Sequence, residues 1–220
     1  MRAFISLDLP AEIIKEIKKI QNALPKFVGK KTESENLHLT LKFLGEVSEE
    51  KIEQIRENLK KIKLSPRDDS SKDIQGGHEN LQAGDTAVPS GEPQKFQVSI
   101  DSIGVFSKKV IRIVWLHLTN CDALQREIDE KLSDLFGKEQ RFMGHLTIAR
   151  VKNIKNSPRD DSSKDDTAVP SGEPKKEFLE KLKKIKIPKI NFMVENFKLK
   201  SSTFKSEGPV YEDIEIYNLK

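Results

Sequence analysis

The stretch HLTLKFLG at residues 38–45 returns in slightly altered form as HLTIARVK at residues 145–152. Successive side chains of a β-strand point to opposite faces of its sheet. Each stretch therefore predicts a strand with one histidine and one threonine on one face and aliphatic side chains on the other. Two such strands in one chain predict two related halves.

The elements around the two stretches recur in the same order. RAFISLDL at 2–9 predicts a strand, and after Pro10 the apolar residues follow helical spacing. VIRIVWLHL at 110–118 and a helix after Asn120 repeat this order ahead of the second motif. Arg2 precedes the first motif histidine by 36 residues, and Arg112 precedes the second by 33. A further amphipathic helix is predicted after each motif, so the two halves repeat as units.

Alternating apolar and polar residues predict further strands in three later stretches, at 95–106, 190–204 and 211–219. Because strands outnumber helices, we predict an α+β fold of two pseudo-symmetric lobes. Their antiparallel sheets are expected to surround a central groove, with the helices on the outer faces. If an approximate twofold axis relates the lobes, the two motif strands lie side by side and both imidazoles project into the groove.

Two acidic segments interrupt this pattern, at 65–93 and 157–174. Both begin SPRDDSSKD and end DTAVPSGEP. Their low hydrophobicity and their many serine, aspartate, glycine and proline residues predict disordered surface loops inserted into a single bilobal domain that spans residues 1–220. A copied mobile DNA element, an engineered cassette and an acidic docking loop are the origins we consider.

The charge of the chain is uneven. The segments 65–93 and 157–174 carry net charges of −4 and −3. Because the whole chain has a net charge of +4, the remaining residues carry +11. This surplus favours a polyanionic partner such as RNA, although a lysine-rich solvated surface has the same composition. No apolar run is long enough to cross a bilayer, and the N-terminus lacks a signal peptide, so we expect a cytoplasmic protein. The single cysteine, Cys121, is expected to be structural.

His38 and His145 suit phosphodiester chemistry without a metal or another cofactor. One imidazole can remove a proton from the attacking oxygen while the other protonates the leaving oxygen. The hydroxyls of Thr40 and Thr147 can donate hydrogen bonds to the phosphoryl oxygens. Two further histidines, His117 in an apolar strand and His78 in the first acidic segment, are expected to lie outside the site.

Three quoted stretches carry a resemblance to a known family: ENLHLTLKFLGEV at 35–47, GHLTIARVK at 144–152 and RAFISLDLP at 2–10. They resemble the two-histidine phosphoesterases, and within them the RNA 2',3'-cyclic phosphodiesterases, also called 2'-5' RNA ligases. The resemblance covers the chain outside the acidic segments. It implies a two-lobed fold and metal-independent hydrolysis of terminal 2',3'-cyclic phosphates to 2'-phosphomonoesters, together with reversible 2'-5' RNA ligation.

The resemblance also implies roles for individual residues. His38 would protonate the departing 3'-oxygen and His145 would activate water, with the roles exchanged in the ligation direction. Thr40 and Thr147 match positions that hold the phosphate. Arg150, five residues after the second histidine, matches a basic residue that contacts the nucleotide or the phosphate.

Two further positions are not assigned a role by this resemblance. Lys42 shares the predicted strand face of His38 and Thr40, so we expect it to reach the RNA backbone. Family members often carry a proline directly before the second motif histidine, whereas Gly144 stands there in this chain. The entry to this strand is therefore expected to be less rigid.

The expected partner is RNA with 2',3'-cyclic phosphate ends, and tRNA fragments are one candidate. We expect a monomer, because one chain supplies both motifs and therefore a complete site. A phosphodiesterase acting on a small cyclic nucleotide needs the same two histidines and remains an alternative. A non-catalytic RNA-binding module is another, which retention of both motifs disfavours.

Overall fold

The computed structural model describes residues 1–62, 95–154, 173–206 and 208–219. The acidic segments lie outside these residues, except that Glu173 and Pro174 begin the last helix. The described residues form nine strands and four α-helices: β1 (Arg2–Asp8), α1 (Ala11–Asn22), β2 (Val28–Lys31), β3 (His38–Glu46), α2 (Glu49–Leu59), β4 (Phe96–Val105), β5 (Ile113–Thr119), α3 (Asp122–Lys131), β6 (His145–Asn153), α4 (Glu173–Lys183), β7 (Ile190–Val194), β8 (Asn196–Lys205) and β9 (Gly208–Asn218).

The strands follow the order β7-β4-β5-β6-β3-β1-β8-β9, with β2 paired to β6. Every pair is antiparallel. The first lobe consists of β3, β1, β8 and β9, and the second of β6, β5, β4 and β7. The predicted α+β fold is confirmed. The final hairpin returns to the first lobe, so the two lobes are interleaved along the chain.

The helices form because their apolar residues fall on one face. In α2, Ile52, Ile55 and Leu59 are buried, and the Ser48 hydroxyl accepts a hydrogen bond from the Lys51 amide at 3.3 Å. This helix is the amphipathic helix that the sequence predicts after the first motif. None of the helices in the described ranges has both the length and the apolar composition needed to span a membrane.

The two lobes meet where the motif strands touch. In the described register, β3 and β6 are joined by one Cα pair, Leu39 with Leu146. Helices cross this seam in both directions. From α1, the Gln21 amide donates to the Ile148 carbonyl at 2.8 Å, and α3 of the second lobe packs against β3. The seam is therefore closed by helices and buried polar contacts in addition to strand pairing.

A β-bulge interrupts each motif strand at the same place. Leu41 in β3 has no partner in the register with β1, and Ile148 in β6 has none with β5. Two successive side chains of each strand are buried as a result, Leu41 with Lys42 and Ile148 with Ala149. The two strands consequently have the same burial pattern from end to end.

Lys42 does not reach the groove, and the prediction that it contacts the RNA backbone is wrong. Its side chain is 2% exposed, and its ammonium donates to the Asp129 carboxylate at 2.5 Å and to the Gly137 carbonyl at 2.7 Å. Gln125 and the amide of Glu139 complete the carboxylate's hydrogen bonds. The bulge at Leu41 is the cause, because it turns the next side chain under α3.

Replacing Lys42 alone should destabilise the fold. Lys42→Met leaves the Asp129 carboxylate buried without its cation, which costs about 3 kcal/mol or more of unfolding free energy. The double variant Lys42→Met/Asp129→Leu should recover much of this loss, since no buried charge remains. Urea denaturation measures both, with Lys60→Met, at the exposed residue that follows α2, as the control. Equal loss in the single and double variants would contradict this account.

Candidate active site

A cavity of about 570 Å³ lies over the seam between the lobes. Five of the six site residues predicted from the sequence line it: His38, Thr40, His145, Thr147 and Arg150. They come from the two equivalent strands, so the strand period and the pseudo-symmetry explain their meeting. The groove predicted between the lobes corresponds to this cavity.

Both imidazoles are held by a backbone group two residues earlier. Nδ1 of His145 lies 2.9 Å from the carbonyl oxygen of Met143. His38 makes a hydrogen bond to the backbone of Asn36. A neutral imidazole that donates from Nδ1 keeps the lone pair of Nε2 free. In His145, Nε2 is therefore the nitrogen available for proton transfer.

His38 sits among aromatic rings on the first lobe. Its ring centroid is 5.0 Å from those of Phe4 and Tyr211, the latter edge-on. Burial is the largest cause that lowers the pKa of His38, and the nearby Lys200 ammonium acts in the same direction. Asp8 and the backbone bond to Asn36 oppose the change, and the net pKa is about 4. The imidazole is therefore neutral at pH 7.

Beside His38 lies a cluster of charges that the sequence did not indicate. Asp8 is its register partner on β1, and its carboxylate pairs with Lys200 at 2.7 Å and Lys198 at 2.9 Å. Burial raises the pKa of the Asp8 carboxyl, but the two lysines outweigh it and the net direction is downward. Asp213 closes the cluster through Lys198 at 2.6 Å. These residues are distant in sequence, so only the strand pairing reveals them.

The fifth residue after each histidine projects into the groove, because the bulge has shifted the alternation by one. In the second lobe this is Arg150, and in the first it is Phe43, which is 67% exposed. Phe204 is also exposed, at 68%, and the Arg2 guanidinium lies 5.4 Å above its ring. These side chains give the first lobe an aromatic surface at the mouth of the cavity.

The second lobe presents different neighbours. Phe106 packs edge-on against His145 with centroids 4.9 Å apart. His117 is the register partner of His145 on β5, and its Nδ1 lies 2.9 Å from a carboxylate oxygen of Asp101. His117 does not line the cavity, and Cys121 is buried. His78 lies outside the described residues.

Within the described ranges, histidine, cysteine and carboxylate side chains form no cluster of three or more that could hold a metal ion. The cavity instead combines two imidazoles, two hydroxyls and one guanidinium. This set can move two protons and stabilise an anionic phosphoryl group.

The pKa of His38 should rise when Lys200 is replaced. Lys200→Met removes a positive charge that disfavours the imidazolium, so His38 should titrate above about 4. NMR titration of the imidazole nitrogens measures this, with His145→Ala as background to simplify assignment. Lys18→Met, on the exposed face of α1, is the control that should leave the titration unchanged. A constant pKa in both variants would exclude Lys200 as a cause.

Comparisons with known proteins agree with one another. A family model described as LigT like Phosphoesterase matches residues 7–68. The RNA 2',3'-cyclic phosphodiesterase of Methanocaldococcus jannaschii is 33% identical over 218 residues, which cover 97% of this chain and 98% of that protein. The protein of the same name from Methanothermobacter thermautotrophicus is 30% identical over 230 residues, covering 100% of this chain and 99% of that protein.

Solved structures share the fold. A Thermus thermophilus protein superposes with a TM-score of 0.66 at 21% identity, covering 100% of this chain and 98% of that chain. E. coli LigT in its apo form gives 0.63 at 21% identity, covering 100% and 97%. The interleaved two-lobed architecture is therefore common to these proteins.

Proposed function

Because this chain belongs to the family of LigT-like RNA 2',3'-cyclic phosphodiesterases, we propose that it hydrolyses the terminal 2',3'-cyclic phosphate of RNA to a 2'-phosphomonoester. The observation that carries this proposal is the meeting of His38 and His145 in one cavity, each with its threonine. The relatives' printed names support the substrate.

In this mechanism, one imidazole takes a proton from water as the water oxygen attacks phosphorus. The bond from phosphorus to the 3'-oxygen breaks, and the other imidazole protonates that oxygen. Each proton transfer contributes on the order of 10²–10⁴-fold. Thr40, Thr147 and Arg150 stabilise the negative charge that grows on the phosphoryl oxygens.

The first lobe supports binding of the terminal nucleoside. Phe43 and Phe204 expose about two thirds of their surface at the cavity, as 67% and 68%, and Arg2 adds a cation beside the second ring. Exposed aromatic rings stack on bases without strong sequence preference. E. coli LigT, which shares the fold, has been crystallised with 3'-AMP. We place the terminal base on this surface.

The resemblance assigns the acid to His38 and the base to His145. The pKa of His38, about 4, favours the neutral form and hence a base. A bound cyclic phosphate is an anion and raises the pKa of a neighbouring imidazole. The two assignments can be distinguished by experiment, because only the general acid protonates the departing 3'-oxygen.

Hydrolysis should proceed in excess EDTA and disappear when either histidine is removed. An RNA oligonucleotide with a 2',3'-cyclic end is incubated with the protein, with His38→Ala and with His145→Ala, and the terminal phosphate is identified by mass spectrometry and phosphatase sensitivity. Each substitution should lower kcat by about 10²–10⁴-fold. His117→Ala is not a suitable control because it adjoins His145, so Ile216→Ala, on an exposed part of β9, serves instead. Full activity of either histidine variant would exclude the mechanism.

Replacing the 3'-oxygen by sulfur should identify the acid. A thiolate leaves with little protonation, so the variant that lacks the general acid regains activity on the 3'-thio substrate while the variant that lacks the base does not. Rescue of His38→Ala supports the assignment from the resemblance. Rescue of His145→Ala reverses it, in agreement with the low pKa of His38.

The same site can also carry out 2'-5' RNA ligation, which we include in the proposal. A 5'-hydroxyl that replaces water as nucleophile gives 2'-5' ligation, with each imidazole in the same role as in hydrolysis. The imidazoles exchange roles in the reverse reaction, in which the 3'-hydroxyl attacks phosphorus and the 5'-oxygen leaves. One chain supplies both motifs, so the proposal needs only a monomer. We propose a cytoplasmic setting in which tRNA fragments with cyclic ends are substrates.

A further inference from the structure

A second cleft of about 320 Å³ lies between α4 and the loop that joins β4 to β5. Most of the side chains around it are lysines: Lys108, Lys109, Lys175, Lys176 and Lys183. Leu179 and Glu180 complete the lining. Five ammonium groups around one small cleft create a strong local positive potential, which attracts a polyanion.

The carboxylates in reach do not neutralise this charge. Glu180 is paired with Lys183 at 2.9 Å, and Lys175 donates to the carbonyl oxygen of Lys109 at 3.0 Å. In the part of the chain that the structure describes, the ammonium groups of Lys108, Lys109 and Lys176 have no carboxylate within ion-pair distance. Three cations therefore remain for a ligand.

The loop that forms one wall of the cleft also reaches the catalytic groove. It begins with Phe106, which is 55% exposed and packs edge-on against His145. Lys108 and Lys109 follow by two and three residues, a distance of at most about 7–11 Å along the chain. A strand that leaves the groove over Phe106 therefore meets the lysine cleft within a short span.

We propose that this lysine cleft binds the phosphates of the RNA strand that leads to the cyclic end, with Phe106 as the stacking contact between the cleft and the catalytic groove. The inference rests on the proposed function and extends it from the terminal nucleotide to the body of the substrate. It predicts a preference for oligonucleotides over cyclic mononucleotides, because the latter do not extend to the cleft.

The test compares a ten-nucleotide RNA ending in a 2',3'-cyclic phosphate with a 2',3'-cyclic mononucleotide. In Lys108→Gln/Lys109→Gln/Lys176→Gln, the ratio of kcat/KM for the oligonucleotide to that for the mononucleotide should fall about tenfold at low salt. The dependence of oligonucleotide binding on salt should weaken, with a log–log slope smaller by about 2, since each lost phosphate contact removes about 0.7. Fluorescence anisotropy with an uncleavable 3'-hydroxyl RNA measures this slope without turnover.

The matched control is Lys15→Gln/Lys18→Gln/Lys60→Gln, which removes the same charge from the exposed face of α1 and from the exposed residue that follows α2. It should leave the ratio near that of the parent protein. Equal loss in the triple variant and the control would overturn the proposal, as would an unchanged ratio in the triple variant. If the parent protein hydrolyses neither substrate, the proposed function fails, while the anisotropy measurement still decides whether the cleft binds RNA.

Discussion

The groove depends on how β3 and β6 part from each other. They share the pair Leu39 with Leu146, and a longer ladder between them would bring the two lobes into one flat sheet with no cavity. Because so short a ladder cannot hold two lobes, the seam relies on other contacts. Gln21 bonds to the backbone of β6, and the buried pair of Lys42 and Asp129 ties β3 to α3. The helices that cover the outer faces thus also fix the distance between the two histidines.

The sequence predicted the fold and the meeting of His38 and His145 in one cavity, because both depend on short periods and on a repeated order of elements. His38 and His145 and their threonines needed only the strand alternation that precedes each bulge. Beyond the bulge that alternation fails, which is why Lys42 was misplaced. A bulge depends on the local twist of the strand and on the packing beneath it, and the residue types in HLTLKFLG do not predict it. Arg150 was placed correctly because the resemblance supplied its spacing.

The surroundings of the two histidines were not predictable, since they come from strands far away in sequence. Asp8 and Lys200, which act on His38, are 192 residues apart. The final hairpin returns to the first lobe, and no periodicity in the sequence indicates to which lobe it belongs. The same holds for the aromatic surface of Phe43 and Phe204, whose members become neighbours only through the pairing of β1 with β3 and β8.

Pseudo-symmetry alone would give the two imidazoles the same surroundings, whereas the proposed reaction needs one imidazole that carries a proton and one that lacks it. The neighbours remove this equality. The register partner of His38 is the carboxylate Asp8, backed by a lysine, whereas that of His145 is the imidazole of His117, backed by a carboxylate. The groups behind the two motif histidines therefore differ in kind. The repeated strands set the geometry of the pair, and the unrepeated residues beside them give each histidine its own electrostatic environment.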